Sequence, residues 1–333
     1  MQIPPLKRRE FFTVLGGLGM WPLVATAQQA EFVRRVAVVM FYREDDHEGQ
    51  LRARALEEGL RAKGWAVGTN LTIDFRWGTG DDAWISSTVK DLLLFSPSVI
   101  VANSDSVARA VQLASKTVPV VFIGSSDPVA QGLVQSFAHP GGNLTGFTVL
   151  EPSIGPKWLQ LLKEIAPEAQ RVSVLLNSAN AGSRLLLRSC IEEGSKFGVE
   201  VIATEIGEPS DVEPAFAAMA KTSADGFVVP ADPTILAHRK VIVEAAARHR
   251  LPGVYALSGF VDEGGLISYG VSLPGLFRQA ADYVDRILRG ERPDDLPVQH
   301  PAKFELTVNL RAAEALGITI PPMLLATADR VIE

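Results

Sequence analysis

Cysteine is nearly missing from this 333-residue chain: Cys190 stands alone, so neither an internal disulfide nor a cysteine-based metal cluster can form. Basic residues are not in excess, with 32 Lys and Arg against 38 Asp and Glu. A phosphate backbone recruits a basic balance, so nucleic acid is excluded as the expected partner. Histidine is sparse, and His47, His139, His238, His249 and His300 are too scattered for metal-ligand spacing. Common enzyme patterns are absent too: there is no G-x-S-x-G elbow, no G-x-x-x-x-G-K-[ST] phosphate loop and no H-E-x-x-H helix. Gly142 to Gly146 does not follow the dinucleotide pattern. Neither cofactor, metal nor catalysis is expected, although a glycosidase-type carboxylate pair leaves no such motif and stays open as an alternative. Beyond the N-terminus no segment is apolar over the roughly 20 residues that a membrane span needs.

The N-terminus carries a pattern of its own. Lys7, Arg8, Arg9, Glu10, Phe11 and Phe12 form a twin-arginine start, and an uncharged run leads to Ala25-Thr26-Ala27. Residues 1–27 therefore read as a cleavable export signal, which places the remaining chain in the periplasm as a soluble protein. The alternative is an uncleaved amphipathic anchor. Removing three basic residues and one acidic one leaves 29 Lys and Arg against 37 Asp and Glu, a net charge of −8.

From Arg35 onward the pattern alternates. Val36-Ala37-Val38-Val39-Met40-Phe41 is a continuous apolar run, and Leu51, Ala55, Leu56 and Leu60 then recur at helical spacing. Further strands are predicted at Leu71–Phe75, Val99–Ala102 and Val118–Ile123, with helical spacing at Ile85–Phe95 and Val107–Ala114. Alternating β and α elements predict doubly wound parallel sheets. The second half repeats the plan: Arg171-Val172-Ser173-Val174-Leu175-Leu176 answers Arg35 onward, and Phe227-Val228-Val229-Pro230-Ala231-Asp232 answers Ile100 to Asp105. Two similar α/β lobes follow, joined near the glycine-rich stretch Gly141 to Gly146.

In open α/β sheets ligands bind beyond the carboxyl ends of the strands. The candidate residues are accordingly Tyr42, Arg43, Asn103, Ser104, Ser125, Ser126, Asp127, Asn177, Asp232 and Tyr255. Their hydroxyl, amide and phenol groups suit orientation of a small polar molecule and lack a proton-transfer pair. Each has a plainer alternative. Ser104, Asp127 and Asp232 fit helix caps, with Pro128 and Pro233 at first helical positions. Tyr42 and Tyr255 fit the core, and Arg43 fits a surface pairing with Glu44, Asp45 or Asp46.

Three stretches carry a resemblance: Pro119-Val120-Val121-Phe122 through Asp127-Pro128-Val129 to Asn143-Leu144-Thr145-Gly146, then Gly264 to Gly270, then Leu296-Pro297-Val298 through Lys303-Phe304-Glu305-Leu306 to Asn309. The chain resembles the periplasmic substrate-binding proteins of ABC transporters, the family that includes tryptophan- and tyrosine-type binding proteins. It departs at Asn103-Ser104-Asp105, where many relatives carry a small glycine-containing turn. The resemblance implies a type I periplasmic-binding clamshell with three hinge crossings, near Phe147–Leu150, Leu266–Tyr269 and His300–Phe304. Lobe 1 is then 34–148 plus 270–300, and lobe 2 is 149–269 plus 301–333. It implies a small-molecule ligand, an amino acid or related carboxylate, and a partner permease driven by its ATPase, with the receptor a monomer. The ligand carboxylate is expected near Ser104, Ser125 and Ser126, an ammonium near Asp232 and a ring near Tyr42 or Tyr255. A secreted hydrolase on a similar scaffold and a ligand sensor for a membrane receptor are the alternatives.

Overall fold

The first apolar run, five residues of which are fully buried, is a strand with helices on both sides. In the computed structural model β1 (Arg34–Met40) is followed by α1 (His47–Ala62), which buries Ala55, Leu56 and Leu60 in one core with Val36, Val38 and Met40 of the strand. The structure describes residues 33–78, 81–149, 151, 154–222 and 224–333. The twin-arginine segment lies outside the described residues. Three more units follow: β2 (Leu71–Trp77) with α2 (Asp82–Leu94), β3 (Val99–Ala102) with α3 (Asp105–Ala114), and β4 (Val120–Ser125) leading to β5 (Leu144–Thr148). These strands form one parallel sheet in the order β2-β1-β3-β4-β5.

The chain then enters a second sheet. Its units are α4 (Ile154–Ile165), β6 (Arg171–Leu176), α5 (Ala181–Gly194), β7 (Glu200–Glu205), α6 (Pro209–Lys221), β8 (Gly226–Val229), α7 (Pro233–Ala237), α8 (Arg239–His249) and β9 (Gly253–Tyr255). A short α9 (Gly259–Asp262) precedes β10 (Ile267–Val271). Next comes α10 (Leu273–Leu288), then β11 (Phe304–Asn309), α11 (Leu310–Leu316), α12 (Pro322–Thr327) and β12 (Arg330–Ile332). The order is β12-β11-β10-β9-β8-β6-β7. This sheet is not wholly parallel, because β11 runs antiparallel to β10. The reversal follows from a chain that leaves the sheet after Val271 and returns from the far side.

That excursion ties the two lobes together. Although α10 follows a strand of the second sheet, it packs along α1 of the first. A Cβ at Gly59 would lie 2.6 Å from the Cβ of Ala281, so only glycine permits the approach. Arg278 pairs with Glu58 at 3.1 Å, and Lys63 pairs with Asp282. The chain then runs beside β5, where Thr148 N–H donates to Gln299 O at 2.9 Å, before joining the second sheet as β11. The three passages fall after Thr148, after Val271 and after Gln299. The middle one lies slightly later than the Leu266–Tyr269 that the resemblance implies, because Tyr269 and Gly270 still pair in β10.

Candidate functional site

Strand order decides where a pocket opens. Between β1 and β3, and again between β6 and β8, the chain reverses its winding direction, so the loops beyond those strand ends diverge and leave a crevice. The two crevices face each other and enclose a cavity of about 420 Å³, within the rough 300–1,000 Å³ range of small-molecule sites. Phe41 and Tyr42 enter it after β1, Asn103 and Ser104 after β3, Asn177 after β6, and Ala231 and Asp232 after β8.

Six of the sequence-predicted residues line this cavity: Tyr42, Asn103, Ser104, Ser126, Asn177 and Asp232. Tyr42 is buried with the Arg52 guanidinium 4.4 Å from its ring centre, and burial pushes its hydroxyl above the usual phenol range. Ser104 caps α3, its Oγ accepting from Val107 N–H at 3.2 Å. Asp232 caps α7 through Ile235 N–H at 3.0 Å, while its second oxygen accepts from Asn180 Nδ2 at 2.8 Å and Ser183 Oγ at 3.1 Å. Burial raises its carboxyl above the ordinary range against those hydrogen bonds.

Four predicted residues lie outside the lining. Arg43 is exposed and pairs with Asp45 at 3.1 Å. Asp127 starts no helix: its Oδ1 accepts from Ala130 N–H at 2.9 Å and closes a turn. Ser125 is buried behind the cavity because a bulge in β4, with Gly124 at φ +92°, brings Gly124 and Ser126 to the surface of the pocket instead. Tyr255 belongs to the core of the second lobe, stacked on Phe260 at 4.8 Å and edge-on to Phe227 at 5.6 Å. Its side chain points into the lobe, and burial raises its hydroxyl.

Several lining residues carry no sequence signal. Arg52 lies in the interior of α1 as one charge among many on an amphipathic helix, yet it is 1% exposed and forms a buried pair with Glu48 at 3.3 Å. Asp105 reads as an ordinary first-turn acid, but it lines the cavity. Its Oδ2 accepts from Gln131 Nε2 at 2.6 Å and Ser126 N–H at 3.3 Å. Its Oδ1 is buried without a hydrogen bond, and the Ser125 hydroxyl facing it does not reach hydrogen-bond geometry. Burial raises the Asp105 carboxyl, and Asp127 nearby adds to the rise. Asn180 was not distinguishable from its loop neighbours; it caps α5 and holds Asp232.

The two lobes meet around the cavity. Arg239 of α8 pairs with Asp46, the cap of α1, at 3.0 Å. A Cβ at Gly182 in α5 would stand 2.3 Å from Ser126 Oγ, and one at Gly259 would stand 3.0 Å from Glu48 Cδ. No group of three or more His, Cys, Asp or Glu residues suited to a metal ion occurs among the described residues. No helix among them is long and apolar enough to cross a membrane.

Residues 35–332 match the family described as ABC transporter substrate binding protein. The chain belongs to this family. The substrate-binding protein is 28% identical over 261 residues to a protein named tyrosine-binding protein from Clostridioides difficile strain R20291, covering 78% of this chain and 75% of that one. Among solved structures it resembles a conserved domain protein of Vibrio cholerae, at 30% identity and TM-score 0.82, over 90% of this chain and 99% of that one. It shares the fold of a Streptococcus pneumonia domain in complex with L-Trp, at 24% identity and TM-score 0.83, with the same coverage. A ligand-free, open substrate binding protein with adhesive properties from Clostridium difficile matches at 25% identity and TM-score 0.69, again over 90% and 99%. Sugar- and leucine-binding proteins share the fold of the substrate-binding protein at 10% and 13% identity.

Proposed function

We propose that this chain is the extracytoplasmic receptor of an ABC importer, which closes on an amino acid or related small carboxylate and delivers it to a membrane permease. The enclosed polar cavity, lined from the switch points of both sheets, carries this reading. Ligand exclusion from water at a two-lobe interface suits capture and release, and the ligand leaves chemically unchanged. The names of the tyrosine-binding relative and of the L-Trp complex support an amino acid as the ligand. Superposition is better on the ligand-complexed domain than on the ligand-free, open protein, which supports a closed state here.

Within this reading, 34–148 with 270–300 moves as one lobe and 149–269 with 301–333 as the other, after residues 1–27 have directed export to the periplasm. The cavity residues Tyr42, Asn103, Ser104, Ser126, Asn177 and Asp232 contact the ligand, with the Arg52 guanidinium behind Tyr42 available to a carboxylate. Thermal-shift measurements on ligand-stripped protein test the reading. An amino acid at 100 times its dissociation constant adds about 2.7 kcal/mol, or roughly 5 °C for a chain of this size. No shift with any of the twenty amino acids, and no small molecule in the mass spectrum of the freshly purified protein, would reject it.

A further inference from the structure

A second cavity, of about 420 Å³, opens on the hinge side of the molecule, and no residue lines both it and the cavity described above. Its walls come from both lobes. Glu48 of α1 faces Ser258, at the start of α9, and Thr307 of β11, while Ser272 and Lys303 border it where the chain passes between the lobes. Its rim is charged but internally paired: Lys303 meets Glu305 at 3.3 Å and Asp329 at 3.4 Å, and Arg330 meets Asp262 at 2.7 Å. Acids nevertheless predominate on the walls. Glu48, Asp262, Glu305 and Asp329 stand against Lys303 and Arg330, four against two, and adding Arg52 behind Glu48 still leaves four against three.

Two buried side chains face this pocket with a polar atom unused. Glu48 is 6% exposed; its Oε2 accepts from Arg52 Nη2 at 3.3 Å, and its Oε1 takes no hydrogen bond among the described residues. Thr307 is 3% exposed and shares a face of β11 with Glu305, opposite the core residues Leu306 and Val308, so its side chain is directed at the pocket. Its hydroxyl is likewise without a partner among the described residues. Neither oxygen belongs to the buried atoms that are sealed off without a hydrogen bond, so both open onto the cavity. Ser258 adds a third free group, because its hydroxyl makes no cap bond to α9.

We propose that the hinge-side pocket is a second ligand site, for a small primary amine, and that its occupant favours the closed arrangement of the lobes. An ammonium group carries three donors and no acceptor. It therefore suits Glu48 Oε1, Thr307 Oγ1 and the Ser258 hydroxyl, and the acidic excess of the walls attracts it, whereas a neutral polyol would gain nothing from that excess. Coupling to closure follows from where these groups sit. Glu48 belongs to the first lobe and Thr307 and Ser258 to the second, so one ammonium reaches all three only while the lobes are together. A Cβ at Gly259 would stand 3.0 Å from Glu48 Cδ, which shows how closely α9 approaches this acid. Glu48 also holds Arg52, a lining residue of the cleft cavity, so the ion pair forms part of the wall between the two cavities. An effector that favours closure raises the affinity of the cleft ligand, and the cleft ligand raises the effector's by the same factor. The pocket's affinity for an amine stands apart from the receptor reading; its effect on the cleft ligand rests on that reading.

Isothermal titration of the full chain at pH 7 with 1,4-diaminobutane, and with 1,4-butanediol as its uncharged counterpart, reads the pocket directly. One diamine binds per chain, roughly tenfold or more tighter than the diol. Thr307→Val keeps the side-chain shape without the hydroxyl and weakens the diamine by roughly ten- to a hundred-fold, the range of a hydrogen bond to a charged group. Its melting temperature reports whether it is folded, and Ser258→Ala, on the other side of the pocket, gives the same loss should Val disturb β11. Titration of L-tyrosine and L-tryptophan with and without saturating diamine then reads the coupling. Amino-acid affinity rises roughly five-fold in the parent and changes less than two-fold in Thr307→Val. Several diamines per chain, equal binding of the diol, or an unchanged diamine affinity in both variants overturns the site. A diamine that binds as expected and leaves amino-acid affinity unchanged overturns its link to closure. Failure of the amino acids alone counts against the receptor reading, while the diamine titration still decides the pocket.

Discussion

Gly182→Ala separates closure from folding, because the added methyl meets an obstacle only when the lobes are together. Gly182 lies in the first turn of α5 on the second lobe, and its Cβ would sit 2.3 Å from Ser126 Oγ and 2.4 Å from Ser126 Cβ on the first. Rotating the serine hydroxyl relieves only the first contact. Carbon atoms rest about 3.5–4.0 Å apart, so the lobes must part by over an ångström at this point. Forced overpacking of this kind costs about 1–3 kcal/mol, and here the cost falls on the closed state alone. Ligand affinity scales with the fraction of closed, competent protein, so the dissociation constant rises roughly 5- to 150-fold. In the open protein the same methyl is free. Alanine is the better helix former by up to about 1 kcal/mol, so the ligand-free melting temperature stays level or rises slightly. Titration calorimetry and thermal melting of the ligand-free variant check the two halves. An affinity within two-fold of the parent, or a ligand-free protein that melts earlier, refutes the reasoning.

Asp46→Asn removes the ionic part of the Asp46–Arg239 pair across the cleft while keeping a side chain able to cap α1. The pair is partly buried, so about 1 kcal/mol and a roughly five-fold faster ligand dissociation are expected by stopped-flow measurement. Tyr255→Phe leaves ligand affinity unchanged in titration calorimetry, since the ring packs in the second lobe beside Phe260 and outside the cavity. Burial raises the carboxyls of Asp105 and Asp232 above the ordinary carboxylate value of 3.8. In that window the folded state holds more protons than the unfolded state, so their contribution to ligand-free stability is greatest below it and falls as pH rises through the raised values. Asp105→Asn flattens this dependence in melting curves recorded from pH 4 upward.

Regular elements were legible because their signal is local. Val36 to Met40 is apolar without interruption, and such a run is a strand buried on both faces. Leu276, Ala280, Ala281, Val284 and Leu288 repeat at helical spacing and are buried along one side of α10. The site was legible only as far as strand ends predict it. Tyr42, Asn103, Ser104, Ser126, Asn177 and Asp232 follow strands, and they reach the cavity. Tyr255 follows the same rule and does not, since β9 lies beyond the switch point and its last side chain turns inward to Phe260. Ser125 and Ser126 could not be told apart, because the bulge at Gly124 decides which of the two faces the pocket.

Charge was the least legible property, because it depends on which partners each group has already found. Asp232 and Asp105 are both acids at the start of a helix, and spacing describes them alike. In the fold one is held by Ile235, Asn180 and Ser183 of its own lobe, whereas the other accepts from Gln131 and Ser126 through one oxygen and turns its second, buried oxygen toward Ser125 behind the cavity. Of the five buried atoms without a hydrogen bond among the described residues, Arg52 Nε, Asp105 Oδ1 and Ser125 Oγ belong to the first lobe at or behind the cavity. The second lobe has spent its comparable groups on holding Asn180, Ser183 and Asp232 together. The second lobe therefore meets a ligand as a preassembled wall, with Asp232 already fixed by Asn180 and Ser183. Closure then depends on shape at Gly182 and Gly259 and on the Arg239 pair, each a contact made between the two lobes.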